Sequence, residues 1–314
     1  MPELPEVEAA RRGIAEQLVG KTLVGYTLYR PSLLHAPDGL SLDQLVGQRL
    51  VAVNRWGKHL WLTFEQLGLL LHLKLTGQLV ARGAAIPGFA AGHPVPAYDA
   101  PLPHKSTALQ LDFCPDAHLY LTDVRSFARA WLWPPEAIVA TVQELRLGPD
   151  LLSPDFTREA FIQRLTRRRE GQLKPVLLDQ RVVAGLGNIY VDESLWQAQL
   201  HPARRVGTLT LPEIDRLYEA IKTVMEVAVP IGGARILHGK ALPPPGEFPF
   251  VHGRAGQPCL RCGTTILKIV VGQRGTYLCP HCQPAPSGQP VTMADDTKAE
   301  TGEALSDDAD AMAE

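Results

Sequence analysis

The sequence has no apolar run that approaches the roughly 20 residues needed to cross a bilayer, and it has only five cysteines in 314 residues. Its first residues, MPELPEVEAARR, are too acidic and too poor in leucine for a secretory signal peptide. These absences argue against a membrane protein and against a secreted one. We therefore expect a cytoplasmic globular protein of about two domains.

An excess of positive charge is also missing, because the formal net charge is -2. The distribution of charge matters more than this sum. Eight acidic residues lie between Asp295 and Glu314, against the single Lys298, and without that -7 the rest of the chain carries +5. We expect residues 284–314 to form a disordered acidic tail. The folded part is then mildly basic, so a nucleic-acid partner is compatible with the composition.

The residue pattern predicts an α+β protein. Residues 6–18 have helical spacing after Pro5. Residues 21–133 contain seven short β-rich segments that favour a sandwich or a barrel: TLVGYTLYR, RLVAVNRW, HLWLTFE, GLLLHLKL, TALQLDFC, HLYLTDV and ARAWLWP. A stretch rich in Gly, Ala and Pro, 83–105, is expected to be a surface loop, and the pattern is helical beyond Pro135. The predicted domains are 1–134 (helix and β domain), 135–231 (helical domain), 232–258 (loop and connector) and 259–283 (cysteine module).

The cysteines give the strongest local signal. The pairs CLRC at 259–262 and CPHC at 279–282 offer four thiolates for one tetrahedral zinc, and four buried free thiols are the weaker alternative. The predicted ligands are Cys259, Cys262, Cys279 and Cys282. The intervening sequence predicts a β-hairpin with Arg274 at its tip, and a closed four-cysteine site is structural. The fifth cysteine, Cys114, is expected to be a buried small hydrophobe.

A second signal is the sequence GLGN at 185–188, directly before a predicted helix. Its backbone N–H groups and the Asn188 amide could hold an anion, although such turns also serve only to reverse the chain. The nearby run RLTRRREGQLKP adds cations that can meet phosphates. These are Arg167, Arg168, Arg169 and Lys174. For the first two, a solvated helix end is the alternative.

The predicted β domain contains further candidates. Lys58 follows a glycine and His72 ends a strand, and such polar residues are more often edge or solvent-facing positions than functional ones. Arg125 and Phe127 lie on a short loop in TDVRSFARAWLW. An arginine and an aromatic two residues apart could fill a gap in an unstacked duplex, or could pack against the loop itself.

Six collinear motifs between Pro2 and about Gln283 resemble those of the formamidopyrimidine-DNA glycosylase (Fpg or MutM) family. They are PELPEVE, GKHL, HLKLTG, TDVRSFA, GLGNIYVDESL and CLRC…QRGTYLCPHC. The resemblance implies an N-terminal β-sandwich domain and a C-terminal helix-two-turn-helix domain with a zinc finger, which together clamp double-stranded DNA. It also implies that the zinc is structural, as the closed four-cysteine site already suggests, that a lesion-capping loop lies within 232–258 and that the protein is a monomer.

The resemblance further implies removal of oxidised purines, chiefly 8-oxoguanine and formamidopyrimidines, followed by cutting of the backbone on both sides. Family roles then fall on particular residues. The catalytic set is Pro2 as nucleophile, Glu3 as acid and base at the sugar, and Lys58 and Arg274 in the elimination steps. The DNA contacts are His72, Arg125, Phe127, Arg169, Asn188, Lys174 and a loop contact from His104 or Lys105. Leu75 stands where the family usually has a gap-filling methionine, Ala128 replaces a glycine and His252 replaces a tyrosine.

The terminus has a chemical logic of its own. An ordinary lysine with a pKa near 10.4 is almost wholly protonated at neutral pH, whereas an α-amino group with a pKa near 7.7 to 8.0 offers roughly several hundred times more free base. Removal of Met1 makes Pro2 a secondary amine that can form a Schiff base. Glu3 can transfer protons at the sugar. Glu6 can orient the terminus or can only cap the helix, which stabilises it by about 0.3 to 1 kcal/mol.

Two rival functions remain at this stage. An enzyme like endonuclease VIII shares the fold and chemistry but prefers oxidised pyrimidines and tends to begin PEGPE, whereas this chain begins PELPE. A non-catalytic zinc-finger protein that binds DNA would explain the cysteines and the basic loops. It would have no need of Pro2, Glu3 and Lys58, which therefore favour an enzyme.

Overall fold

A computed structural model describes residues 1–286 of the chain, which fold as two compact units, residues 1–146 and residues from 147 onward. The first unit opens with helix α1 (Leu4–Gln17), an amphipathic helix with Pro5 in its first turn. Ten strands and one further helix follow. They are β1 (Leu23–Leu28), β2 (Leu34–His35), β3 (Leu50–Trp56), β4 (His59–Phe64), β5 (Gly68–His72), β6 (Gly77–Arg82), β7 (Phe89–Gly92), β8 (Thr107–Phe113), β9 (Ala117–Asp123), β10 (Arg129–Trp133) and α2 (Pro135–Glu144).

The strands of the first unit form two five-stranded sheets. One has the order β1-β8-β9-β6-β7 and the other β2-β10-β5-β4-β3, and every pairing is antiparallel except that of β2 with β10. A continuous core of buried side chains includes Leu62, Leu71, Leu109, Leu121 and residues of α1. This is the packing of a β-sandwich with a helix against it.

The second unit is mainly helical. Its elements are α3 (Arg158–Thr166), α4 (Leu173–Leu178), α5 (Asn188–Ala198), α6 (Leu211–Ala228), the short strands β11 (Ile236–Leu237) and β12 (Lys240–Ala241), and the hairpin β13 (Leu267–Val271) with β14 (Arg274–Leu278). Helix α5 is buried on almost all sides, and α6 packs against it. The hairpin lies in the predicted cysteine module.

The predicted α+β class and the β-sandwich are confirmed, and so is the helical pattern expected beyond Pro135, where α2 to α6 lie. Five strands were not predicted: β2, β6 and β7 in the first unit, where β7 lies inside the predicted loop 83–105, and β11 and β12 within the predicted loop and connector 232–258. The expectation that Cys114 is buried was wrong, because its side chain is exposed at the turn between β8 and β9. The predicted first domain ends before α2, whereas the first compact unit ends after it, at Arg146. Most of the predicted acidic tail, 287–314, lies outside the described residues. Across residues 1–286 no helix combines the length and apolar composition that a bilayer crossing requires.

Candidate functional site

The N-terminus of the first unit is buried. Pro2 lies below the surface, and Glu3 is 1% exposed and forms the N-cap of α1. Glu3 and Glu6 form a capping box: the Glu3 carboxylate accepts from the Glu6 backbone N–H, and the Glu3 backbone N–H donates to Glu6 Oε2 at 3.0 Å. Glu6 therefore has the capping role that was one of its two sequence interpretations. Glu3 caps the helix as well.

A cluster of one carboxylate and three arginines lies farther along α1, and sequence reasoning missed it. Glu8 is 4% exposed and accepts from Arg11 Nε at 2.9 Å, Arg12 Nε at 2.8 Å and Arg55 Nε at 3.0 Å. We name these four residues the Glu8 cluster. Burial raises the pKa of the Glu8 carboxyl, but hydrogen bonds from Arg11, Arg55 and Arg12 outweigh it and lower the pKa to about 2. Glu8 is therefore ionised throughout the neutral range.

Lys58 and His72, the two polar candidates of the β domain, are both buried. Lys58 is the second residue of the turn between β3 and β4, and His72 ends β5 opposite His59 of β4. Desolvation lowers the pKa of His72 well below 6.5, helped by the charges of His59, Lys74 and Lys58. The Lys74 backbone N–H donates to His72 Nδ1 at 3.0 Å, so the neutral ring carries its proton on Nε2. A neutral ring can only donate a hydrogen bond from that atom, without adding charge.

Two loops that carry predicted gap-filling residues are joined to each other. Arg125 is exposed, and its guanidinium lies over the ring of the half-buried Phe127, 5.1 Å from the centroid. Leu75 is half-buried in the turn between β5 and β6. The next residue, Thr76, donates its hydroxyl to Oδ1 of the fully buried Asp123.

Asp123 also holds the backbone of the loop that follows β9. Its Oδ1 accepts from the Arg125 backbone N–H at 3.1 Å and its Oδ2 from the Ala128 N–H at 2.7 Å. The Arg125 N–H is also 3.2 Å from Thr76 Oγ1. One hydroxyl and one carboxylate therefore connect the Leu75 turn to the Arg125 loop. Sequence reasoning identified the tips of these loops and missed the two residues that join them.

The loop before β8 carries His104 and Lys105. His104 Nδ1 lies 2.8 Å from Ser106 Oγ, and the His104 backbone N–H donates to Thr107 Oγ1 at 2.8 Å. The backbone of this loop is thus tied to the start of β8. Lys105 is exposed, whereas His104 is half-buried.

Asn188 and Lys174 meet at one backbone oxygen in the second unit. Asn188 is the first residue of α5, and its Nδ2 donates to the Gly275 carbonyl at 3.0 Å. Lys174 Nζ donates to the same carbonyl at 3.0 Å and forms an ion pair with Asp192 at 2.7 Å. Gly275 belongs to β14, directly after Arg274. The two side chains therefore fix the hairpin that carries the arginine.

This arrangement corrects the expectation for Lys174. Both it and Asp192 have side chains that are 0% exposed, so the Lys174 ammonium has no access to a phosphate. Asn188 keeps a feature that suits a ligand, because its Oδ1 is buried and has no hydrogen-bond partner within residues 1–286. One of the two protons on its amide nitrogen, which the sequence suggested was available to an anion, is already donated to Gly275.

Arg274 begins β14 after a tight two-residue turn. Both turn residues have positive φ, 56° at Gly272 and 62° at Gln273, and Val271 pairs with Arg274 across the turn. A Cβ at Gly272 would lie 2.4 Å from Cγ of Pro175, so the glycine lets the hairpin tip approach α4 closely. Arg274 is half-buried at this tip.

Arg167 and Arg169 are exposed in the turn after α3, where the Arg169 carbonyl accepts from the Gly207 N–H at 2.8 Å.

Two buried acids of α5 hold the segment that leads into the cysteine module. Glu193 accepts from the backbone N–H groups of Phe250, Val251 and His252 at 2.7 to 2.9 Å. Burial raises its pKa above the usual value, although these three bonds act against the shift. Asp192 accepts from the Tyr277 N–H at 3.0 Å and lies 2.8 Å from His252 Nδ1. His252, which stands where the family usually has a tyrosine, thus contacts Asp192, the same carboxylate that pairs with Lys174.

The four predicted cysteine ligands converge. Their Sγ atoms all lie within 4.8 Å of one another, with Cys262 at 3.5 Å from both Cys279 and Cys282, and Cys259 at 4.0 Å from Cys282. A zinc ion with four Zn–S bonds of about 2.3 Å separates its sulfurs by about 3.8 Å. The donor set therefore fits one tetrahedral zinc. Trp196 Nε1 of α5 donates to Cys259 Sγ at 3.4 Å, which links the site to the helix.

Three family models match successive parts of the chain. The model described as the formamidopyrimidine-DNA glycosylase N-terminal domain matches residues 1–130, the formamidopyrimidine-DNA glycosylase H2TH domain matches 147–238, and the zinc finger found in FPG and IleRS matches 256–285. A formamidopyrimidine-DNA glycosylase of Latilactobacillus sakei is 39% identical over 293 residues, which cover 90% of this chain and 98% of the relative. The chain belongs to the formamidopyrimidine-DNA glycosylase family.

Solved structures agree with this membership. A mutant of the Lactococcus lactis FPG protein in complex with DNA that contains Fapy-dG has a TM-score of 0.77 and 32% identity. A MutM structure in complex with DNA that contains carbocyclic 8-oxo-G has a TM-score of 0.75 and 31% identity. Each comparison covers 90% of this chain and 100% of the solved one. The predicted formamidopyrimidine-DNA glycosylase fold, with its H2TH domain and zinc finger, is confirmed, and the four cysteines form the structural zinc site of that finger.

Proposed function

We propose that this formamidopyrimidine-DNA glycosylase family member removes oxidised purines from double-stranded DNA and then cleaves the backbone through a Schiff base on Pro2. The observation that carries the proposal is the N-terminus, where a proline directly precedes a buried carboxylate held by a capping box. Such a carboxylate has a fixed position beside the nitrogen. A helix that needed only a cap would not require proline before Glu3.

The nucleophile depends on processing. In the translated chain the Pro2 nitrogen is a tertiary amide, which has no proton and no basic lone pair. Removal of Met1 converts it to a secondary amine with a pKa near that of other α-amino groups. This amine attacks C1′ of the damaged nucleotide, and the glycosidic bond breaks as the base leaves with a proton.

Elimination follows from the charge on the resulting iminium. The sugar ring opens when its oxygen accepts a proton, and we assign that proton to Glu3. The C1′ cation makes the C2′ protons acidic, so the 3′ phosphate leaves by β-elimination and the 5′ phosphate by a second, δ-elimination. We assign Lys58 and Arg274 to these steps. Glu6 orients Glu3 through the bond between its carboxylate and the Glu3 N–H.

DNA binding rests on exposed or polar groups. We propose phosphate contacts for Arg169, for the neutral His72 through its Nε2 proton, for Asn188 through the second proton of its Nδ2 and for the loop at 104–105. Excision from a duplex requires the damaged base to flip out, which costs a few kcal/mol and leaves a gap. We assign Arg125, Phe127 and Leu75 to that gap. In the two solved relatives described above, the bound DNA carries Fapy-dG or carbocyclic 8-oxo-G, which supports an oxidised purine as substrate. The cytoplasmic location and the monomeric state stay predictions.

A borohydride trapping experiment tests the nucleophile. Protein lacking Met1 is expected to be trapped covalently on a duplex that contains 8-oxoguanine. Protein produced with methionine removal inhibited, and verified by mass spectrometry, is expected to lose most of the trapping, as is Pro2→Gly. Glu3→Gln is expected to bind the duplex normally while excision collapses. Full trapping with Met1 retained would exclude Pro2 as the nucleophile.

A panel of duplexes tests the substrate class. Equal amounts of protein are incubated with duplexes that contain 8-oxoguanine, a formamidopyrimidine or an oxidised pyrimidine, and excision rates are compared. We expect the oxidised purines to be removed fastest. Faster removal of the oxidised pyrimidine would instead assign the chain to the specificity of endonuclease VIII.

A further inference from the structure

The Glu8 cluster has no part in the proposed reaction, yet it joins two of the elements that carry it. Glu8 lies on α1, five residues after Glu3, whereas Arg55 lies on β3, three residues before Lys58. The side chains of Glu8 and Arg55 are both 5% exposed. A paired, buried guanidinium makes few alternative contacts with water, so its hydrogen bonds define its position.

Arg55 uses two separate nitrogens to contact Glu8 and Gly57. Its Nε donates to Glu8 Oε2 at 3.0 Å, and its Nη1 donates to the carbonyl of Gly57 at 2.9 Å. The guanidinium is planar and rigid, so a bond at one nitrogen fixes the direction of the other. Glu8 therefore determines where Arg55 holds the Gly57 carbonyl.

Gly57 is the first residue of the two-residue turn in which Lys58 is the second. The turn joins Trp56 to His59, which pair across β3 and β4, and Gly57 has a φ of +57°. Such a tight turn has little freedom once its carbonyl is held. Within residues 1–286 the Lys58 ammonium makes no hydrogen bond or ion pair of its own, so its position depends on the backbone of this turn and on the packing around its buried side chain.

We propose that Glu8, acting through Arg55 and the Gly57 carbonyl, is a positioning residue that sets Lys58 at a fixed distance from Pro2 and Glu3. The inference rests on the proposed function, because it assumes that Lys58 acts in elimination. Helix α1 carries the nucleophile and the acid at its first turn, and the Glu8 to Arg55 ion pair joins that helix to the lysine turn. Displacement of a reacting group by about 1 Å can reduce a rate by about 100-fold.

The experiment compares Glu8→Gln and Arg55→Lys with a matched control, Arg12→Gln. Arg12 pairs with the same carboxylate but has no hydrogen bond to the lysine turn. All proteins are given a duplex with a preformed abasic site. Borohydride trapping measures Schiff-base formation at Pro2, and the rates of β- and δ-product formation measure elimination.

We expect Glu8→Gln and Arg55→Lys to form the Schiff base within threefold of the wild-type rate and to eliminate at least tenfold more slowly. Their affinity for the abasic duplex should stay within twofold, and Arg12→Gln should behave as wild type in every assay. Urea unfolding followed by tryptophan fluorescence checks the fold of the first unit, because four of the five tryptophans lie there. Elimination that falls only in proportion to the unfolded fraction would overturn the inference.

A cycle with Lys58→Gln separates this inference from the proposed function. If Lys58→Gln slows elimination and Arg55→Lys adds nothing in that background, Arg55 acts through Lys58 as proposed. If Arg55→Lys slows elimination by the same factor with or without Lys58, the positioning inference is wrong while the role of Lys58 stands. If Lys58→Gln leaves elimination unchanged, the assigned role of Lys58 is wrong, and the inference that depends on it is wrong as well.

Discussion

Lys174 provides a sharp test of the difference between a buried cation and a phosphate contact. Its sequence context, a run of arginines before a helix, favours a contact with DNA. In the structure its ammonium is 0% exposed and bonded to Asp192 at 2.7 Å and to the Gly275 carbonyl at 3.0 Å. Lys174→Met keeps the length of the side chain and removes only the charge and its hydrogen bonds. The two roles then predict opposite results.

The expected loss of stability follows from the partners that remain. Removal of one member of a buried ion pair typically costs about 3 to 5 kcal/mol, because the other charge stays buried without compensation. Asp192 keeps the Tyr277 N–H and His252 Nδ1, and Gly275 keeps the Asn188 amide. We therefore expect the low end, about 3 kcal/mol. For a unit of this size that lowers the unfolding midpoint by roughly 6 to 12 °C.

Two measurements at 25 °C separate the roles. The first is the urea dependence of hydrogen exchange in peptides from α4, α5 and the β13–β14 hairpin. The second is the salt dependence of binding to an abasic duplex, whose slope falls by about 0.9 when one phosphate contact is lost. Lys174→Met should weaken protection and leave the slope unchanged. The matched control Arg169→Gln, at an exposed position, should lower the slope and leave protection unchanged. A Lys174→Met protein with normal protection and a lower slope would refute the reasoning.

Three other substitutions, one of them with a matched control, have defined outcomes. Glu8→Gln should lower the free energy of unfolding at pH 7 by at most about 3 kcal/mol. Because the folded-state pKa of Glu8 is lowered, this difference in the free energy of unfolding should shrink as the pH falls from about 4.5 toward about 2. Urea titrations at several pH values measure the difference, and one that stays constant with pH would contradict the prediction. Thr76→Val should cost about 1 to 3 kcal/mol by leaving buried groups unpaired, and should reduce discrimination between bases opposite the lesion. The control is Thr122→Val, at the position of β9 directly before Asp123, which removes a hydroxyl that donates to Gln78 of β6. This variant should lose stability and keep the discrimination between opposite bases. Cys259→Ser should lower the bound zinc measured by atomic absorption and weaken DNA binding, whereas a zinc-free protein of normal affinity would contradict the role of the finger.

The strands that sequence reasoning found are those with their own apolar pattern. β4, β5 and β9 carry runs of leucine and aromatic residues, and each lies within a sheet. β7 has the sequence FAAG and forms the edge of its sheet, where it pairs only with β6. Its position depends on a tertiary contact, since a Cβ at Gly13 of α1 would lie 2.5 Å from the ring of Phe89. No local pattern could have predicted that contact.

The site could be predicted only where a short motif carries the chemistry. The cysteine ligands follow from their spacing, because a zinc site needs four thiolates and little else. The tip position of Arg274 follows from GQRG, a sequence typical of a tight turn. The burial of Lys174 could not be predicted in this way, since its partner Asp192 lies 18 residues away on another helix. Local sequence shows that a cation is present, and only the packing shows whether water or a carboxylate surrounds it.

Buried carboxylates account for most of what the sequence analysis missed at the site, including the burial of Lys174, the Glu8 cluster and the bonds of Asp123. Asp123, Asp192, Glu193 and Glu8 are each almost fully buried, and each accepts several hydrogen bonds from backbone N–H groups or cations. Burial of a charge is tolerated only with such partners, so each acid necessarily organises the segment around it. Three of these segments carry proposed site residues: the Arg125 loop, the Arg274 hairpin and the Lys58 turn. An acidic residue within an otherwise apolar helix or strand, close in sequence to a functional motif, is therefore a signal for a positioning group. That signal is present in DESL of α5 and in TD at the end of β9. It points to residues that hold the chemistry in place rather than perform it.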